Sequence, residues 1–361
     1  MNVLSEVRGN LGVITLNRPQ ALNSLSLAMV RDITAALLQW QTDAEVMAVL
    51  LRGAGREGKA PAFCAGGDIR FFHQAALAGD PTLEDFFTEE YALNHLIHTY
   101  GKPTIVLMDG ITMGGGMGLA QGATLRVVTE HSKLAMPETN IGLFPDVGGG
   151  WFLSRCPGHV GEFLALTGHA IGAGDAIALG LADVYLQSAS LPTLVEALAD
   201  QPIETAAQAV AAVKARALAA PSPSLADQRG AIDSHFAHDS ALAILASLTE
   251  STSLFAQQAA ADLRKRSPLM VAVTLEQIRR ARGMTLADDL RMERDMVRHC
   301  FHLRPGARSE TVEGIRALAV DKDQQPRWSP ARQEEVKHEE VAAFFASPWP
   351  PHAHPLRTLG L

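Results

Sequence analysis

Apolar positions recur with two different periods along the first half of the chain, and the change of period separates strands from helices. Val3–Val7 and Leu11–Leu16, divided at Gly9-Asn10, read as a β-hairpin. Between Ser26 and Trp40, the apolar residues Met29, Ile33, Leu37 and Trp40 fall at helical steps. The continuous apolar run Val46–Leu51, closed by Gly53 and Gly55, predicts a buried strand; Thr104–Met108 and Leu125–Thr129 predict two more. Strands alternating with helices predict an α/β chain.

From about Leu191 the texture becomes Ala-rich and helical, broken at Pro221-Ser222-Pro223-Ser224. Ser267-Pro268 has the form of an N-cap followed by proline in the first turn, opening a helix that runs to Arg282 and stops at Gly283. Thr285 with Asp288 opens the next helix as a loose capping box. The tail Pro348–Pro355 is too rich in proline for a helix. The expected organisation is a core over residues 1–190 and a helical region over 191–361 that packs on it. A prior of roughly 150 residues per domain allows such a division.

Composition narrows the chemistry. The chain has 361 residues, 47% of them hydrophobic and 19% charged, as a folded globular protein does. Thirty-one Lys plus Arg against 39 Asp plus Glu leave a net charge of -8, which argues against a general nucleic-acid binder. Cys64, Cys156 and Cys300 form no CxxC pair, so free thiols in a reducing compartment are expected. The first residues lack a signal-peptide pattern, and no apolar run reaches the ~18 residues of a membrane span. A cytoplasmic protein without membrane or nucleic-acid partners is the expectation.

Four clusters carry candidate chemistry. Phe63–Arg70 and Asp109–Gly118 each place glycines just after a strand, where a ligand can approach the backbone and helix-start N–H groups can stabilise negative charge. Two such turns brought together would form an oxyanion hole; tight packing of turns explains the same glycines equally simply. Met136–Gly150 sets Glu138 and Asp146 among apolar, glycine and proline residues, surroundings that would desolvate a carboxylate and raise its pKa. Glu90, near the start of a helix, is either an acid favoured by the helix dipole or a working group.

Other familiar sites fit poorly. GxxxxGK[ST], GxSxG and HExxH are absent and the run Gly114–Gly118 does not satisfy GxGxxG, which weakens nucleotide, serine-hydrolase and zinc-protease readings. His95 and His98 have a spacing that metal ligands can have on a helix, but no third ligand accompanies them, and no metal is expected. Cys64 lacks an evident base, so it is not read as a nucleophile.

Together the segments AFCAGGDIR, EEYALN, GITMGGGMGL, AMPETNIGLFPDVGGGWFL and EGIRALAVDKDQQPRW resemble the enoyl-CoA hydratase/isomerase (crotonase) superfamily, and within it the 3-hydroxyisobutyryl-CoA hydrolases. Residues 190–265 contribute little to this resemblance. It implies a spiral of ββα units followed by helices, with an acyl-CoA thioester as ligand and no separate cofactor. By motif position it implies that Gly67 and Gly115 N–H groups hold the thioester oxygen and that the backbone near Ala65 meets the adenine.

The same resemblance places Glu90, Glu138 and Asp146 at the acyl group, with Glu138 reacting, Asp146 handling a proton or the hydroxyl, and Glu90 binding the hydroxyl or a water. Where the hydratases carry a glutamate after the oxyanion glycines, this chain has Gly118. Loss of one of two hydratase acids favours hydrolysis of a short 3-hydroxyacyl-CoA, as in valine breakdown, over hydration. Hydration or isomerisation of another acyl-CoA, and acyl-CoA binding without catalysis, are the alternatives. The resemblance allows a homo-oligomer without specifying its size.

Overall fold

A computed structural model describes residues 1–200, 203 and 205–361, which form two compact units. The first contains residues 1–67, 92–135 and 170–224; the second contains 68–91, 136–169 and 225–361. These units cut across the expected division at residue 190. The reason is packing: the apolar face of the helix Leu191–Asp200, with Leu191, Leu194, Val195 and Leu198, joins Leu11, Val13, Leu50, Leu107 and Val127 in one core.

The first unit is built on strands β1 (Val3–Arg8), β2 (Leu11–Leu16), β3 (Ala48–Gly53), β4 (Ala62–Cys64), β5 (Thr104–Met108), β6 (Ile111–Met113), β7 (Leu125–Val128), β8 (Lys133–Ala135) and β9 (Val184–Tyr185). The larger sheet has the order β1-β2-β3-β5-β7-β9, and the smaller has β4-β6-β8. Among the strand pairs of the described residues, β1 and β2 are antiparallel and the later pairings are parallel. Thus β3/β4, β5/β6 and β7/β8 each place one strand in each sheet, which is the repeated ββ step of the expected spiral.

Local rules explain most of these elements. β3 and β5 read as unbroken apolar runs because parallel strands are covered on both faces. Ser26 caps the helix Leu27–Thr42 by accepting the Met29 N–H, and that helix buries Met29, Ile33, Leu37 and Trp40. Gly12 lies under Trp40: a Cβ there would come within 2.6 Å of the indole. The predicted strand at Val46–Leu51 begins two residues later, at Ala48, where pairing with β2 starts.

The second unit is helical. Ser267 accepts the Met270 N–H and opens Pro268–Ala281; Thr285 accepts the Asp288 N–H and opens Leu286–His302. The proline-rich tail contains one 3-10 turn, Pro351–Ala353. No helix among the described residues is long and apolar enough to cross a membrane.

Candidate active site

In the first unit, two glycine turns meet. After β4, Ala65 donates its N–H to Leu22 O at 3.0 Å, and Gly66 O accepts from Leu25 N–H at 2.8 Å. Gly66 has φ +102°, and Gly114, ahead of the helix Gly115–Gln121, has φ +49°. A Cβ on Gly66 would lie 3.2 Å from Met113 O and 3.5 Å from Gly115 N; one on Gly116 would strike Cys64 O at 2.3 Å. The small residues therefore let the strand-end turns of β4 and β6 touch. This brings the Ala65–Gly67 backbone beside Gly115, whose first-turn N–H has no acceptor within its own helix.

In the second unit, the three carboxylates singled out in the sequence are all buried. Glu90 sits on the helix Thr82–His98, Glu138 begins the 3-10 turn Glu138–Ile141, and Asp146 follows Pro145. Their exposures are 2%, 6% and 5%. The Glu138 turn is seated on the short helix Glu310–Ile315: Thr311 Oγ1 donates to Gly142 O at 2.7 Å, and a Cβ on Gly314 would collide with Ile141 C at 2.3 Å. Hence the late segment containing Glu313-Gly314-Ile315 supports the loop that carries Glu138.

Electrostatics separates the three acids. Burial and the nearby Asp146 push both Glu90 and Glu138 well above the usual carboxylate range. Asp146 is also raised by burial, to about 7, but a hydrogen bond from Tyr91 opposes the rise. Tyr91 Oη donates to Asp146 Oδ2 at 2.9 Å. Crowded carboxyls share protons and titrate together, and the Tyr91 bond favours charge on Asp146. Glu90 Oε1 and Glu138 Oε2 are buried with no hydrogen-bond partner among the described residues. Such atoms are uncommon in folded proteins and mark polar positions suited to a ligand.

Two further acids, which the sequence motifs do not single out, hold the Asp146 turn. Val147 has φ +56° and Gly148 φ +87°. A β-branched residue in that region costs about 1–3 kcal/mol and persists only when its surroundings impose it. Glu293 Oε2 accepts Gly148 N–H at 2.7 Å, and Oε1 accepts Gly150 N–H at 3.0 Å. Asp289 Oδ2 accepts Trp151 N–H at 2.8 Å. Gly150 is required there, since a Cβ would meet Asp289 Oδ1 at 2.4 Å. The sequence signal was available: Asp289 and Glu293 fall among Leu286, Leu290 and Val297 on the buried stripe of their helix.

Comparison with known proteins places these motifs in context. The model of the enoyl-CoA hydratase/isomerase family matches residues 11–345. A protein of Danio rerio named 3-hydroxyisobutyryl-CoA hydrolase, mitochondrial, is 42% identical over 96% of this chain and 89% of its own length. The protein of that name from Homo sapiens is 39% identical over 96% and 88%. Among solved structures, a carnitinyl-CoA dehydratase from Mycobacterium thermoresistibile superposes with a TM-score of 0.87, 40% identity, and 96% coverage of each chain. An enoyl-CoA hydratase from Rhodobacter sphaeroides 2.4.1 gives 0.87 and 39% over 96% of this chain and 98% of its own.

Proposed function

The chain belongs to the enoyl-CoA hydratase/isomerase family, and we propose that it hydrolyses 3-hydroxyisobutyryl-CoA to 3-hydroxyisobutyrate and CoA. The observation that carries this reading is the buried carboxylate set Glu90, Glu138 and Asp146, in a chain that has Gly118 where hydratases of the family carry a second acid. The hydrolase names of relatives about 40% identical over nearly the whole chain support the same choice.

In the proposed reaction, the Glu138 carboxylate attacks the thioester carbon, or takes a proton from the water that does. The carbonyl π electrons move to oxygen, where Gly67 and Gly115 N–H groups stabilise the charge. Collapse expels CoA as thiolate, which takes a proton from the acid cluster. On the covalent route, water then cleaves the Glu138 anhydride and releases the hydroxy acid. Asp146, where the Tyr91 hydrogen bond favours the charged form, exchanges the proton with Glu138. Glu90 accepts a hydrogen bond from the substrate hydroxyl through its unpartnered oxygen. Ala65 contributes backbone contact at the adenine end. Water and the thioester suffice, and no separate cofactor is invoked.

Release of CoA, followed with a thiol reagent, tests the proposal over 3-hydroxyisobutyryl-, 3-hydroxypropionyl-, 3-hydroxybutyryl-, isobutyryl- and crotonyl-CoA. The first two should be fastest, and isobutyryl-CoA about 10²-fold slower, because it would leave a buried acceptor unpaired. Release of no thiol, with crotonyl-CoA hydrated instead, would replace hydrolysis by hydration. Binding without turnover of any member would make the protein an acyl-CoA binder. Such a hydrolase would serve valine catabolism. We place the protein in the cytoplasm, to be checked by cell fractionation, and leave its self-association to sedimentation analysis.

A further inference from the structure

Helix Leu286–His302 supplies none of the three carboxylates assigned to the reaction, yet it holds the elements that carry two of them. Its Glu293 takes two backbone N–H groups of one turn: Gly148 on Oε2 at 2.7 Å and Gly150 on Oε1 at 3.0 Å. Gln277, from the helix Pro268–Ala281, donates to that same Oε1 at 3.0 Å and to Pro145 O at 2.7 Å. The residues immediately before and after Asp146-Val147 are thereby tied to one buried carboxylate. Val147 keeps its left-handed conformation, φ +56°, inside this bracket.

The next residue of the helix faces the other acid-bearing element. Arg294 is 2% exposed; its Nε donates to Thr88 Oγ1 at 2.9 Å and its Nη2 to the Glu84 carboxylate. Thr88 and Glu84 lie on the helix Thr82–His98, which also bears Glu90 and Tyr91. Tyr91 then meets Asp146. Consecutive residues Glu293 and Arg294 thus brace the two partners of the Tyr91–Asp146 hydrogen bond.

We infer that Glu293 is a positioning residue for the hydrolysis proposed above: it holds the strained Val147-Gly148 turn so that the Asp146 carboxylate stays on the Tyr91 hydroxyl. This rests on the hydrolase reading for its kinetic consequence, but the alignment of Asp146 with Tyr91 is a property of the protein itself. Gln in place of Glu293 keeps the side-chain shape and one acceptor oxygen. It presents an NH2 group to the second backbone N–H, so one side of the bracket opens.

The test compares the unaltered protein with Glu293→Gln and Tyr91→Phe. For Glu293→Gln, kcat should fall about 10–100-fold, as small displacements of a reacting group do, with KM within about threefold. The inflection of the pH–rate profile attributable to Asp146 should move upward in Tyr91→Phe and in Gln277→Leu, which weaken the bond that lowers the Asp146 pKa and leave the Glu293 acid in place. Glu293→Gln also removes an acid that repels Asp146 and is read by kcat and KM. A merely structural role would lower the melting temperature and leave that inflection in place, and this result would overturn the inference. Unchanged kcat and an unchanged profile would overturn it too.

If Glu293→Gln does not fold, Gln277→Leu decides by the same inflection, since it removes only the donor shared by Glu293 and Pro145. If the unaltered protein releases no CoA from any thioester, the hydrolase reading fails. The positioning role is then judged by carbon-13 titration of the Asp146 carboxyl: an upward shift in Gln277→Leu, which keeps the Glu293 acid, supports it, and no shift overturns it.

Discussion

The Tyr91 hydroxyl donates to Asp146 Oδ2 across 2.9 Å, and the two residues come from segments 55 positions apart in the sequence. This bond distinguishes Asp146 from its carboxylate neighbours. All three are buried, but Asp146 alone receives a side-chain hydrogen bond that favours its charged form, and it is the one raised only to about 7. The cluster can therefore hold a proton on one acid and a charge on another at neutral pH.

The most direct consequence concerns Glu138. Glu138→Gln preserves the shape of the side chain and removes its ability to ionise, so CoA affinity should persist while hydrolysis falls by ~10² or more. Hydroxylamine present during turnover should trap a Glu138 anhydride on the covalent route, readable in a peptide map. Hydrolysis by Glu138→Gln at the wild-type rate would remove Glu138 from the reaction.

Tyr91→Phe removes the donor that favours ionised Asp146. The pKa of Asp146 then rises from about 7, and the limb of the kcat/KM profile that depends on its ionised form shifts to higher pH. Activity at pH 6 should suffer more than activity at pH 9. A profile that superposes on the wild type after scaling would show that Asp146 does not control this limb.

Asp146 should also reduce stability at neutral pH. Its folded value of about 7 lies above the ordinary 3.8, so the native state binds this proton more tightly than the unfolded chain does. The unfolded chain has the fewer bound protons between those values, and stability falls as pH rises through that window. Asp146→Asn keeps an acceptor for Tyr91 and removes the penalty. The variant should melt about 2 °C or more above the wild type at pH 8, with the gap closing toward pH 4. A gap independent of pH would contradict the assignment.

Truncation at Leu191 should expose the core of the first unit. The helix Leu191–Asp200 buries Leu191, Leu194, Val195 and Leu198 together with Leu11, Leu50 and Leu107. Losing four buried side chains of about 1.5–3 kcal/mol each is comparable with the whole net stability of a typical domain. The 1–190 fragment is expected to aggregate or to lose its cooperative transition, as followed by calorimetry. A soluble fragment that melts cooperatively would show that these side chains are dispensable.

Sequence alone determined what depends on near neighbours. Ser26, Ser267 and Thr285 cap their helices as their spacing predicts, because a cap needs only a side-chain oxygen and an N–H a few residues ahead. β3, β5 and β7 were legible as apolar runs, whereas β4, β6 and β8, of three residues each, are too short to show a period. Resemblance of whole motifs supplied Glu90, Glu138, Asp146 and the glycine turns. It could not supply Glu293, which meets Gly148 and Gly150 from 145 and 143 residues away. Only the tertiary structure decided that pairing, and only it decided that Asp146 is the carboxyl that takes the Tyr91 hydroxyl. Both depend on burial and on donors from distant segments, which local spacing does not encode.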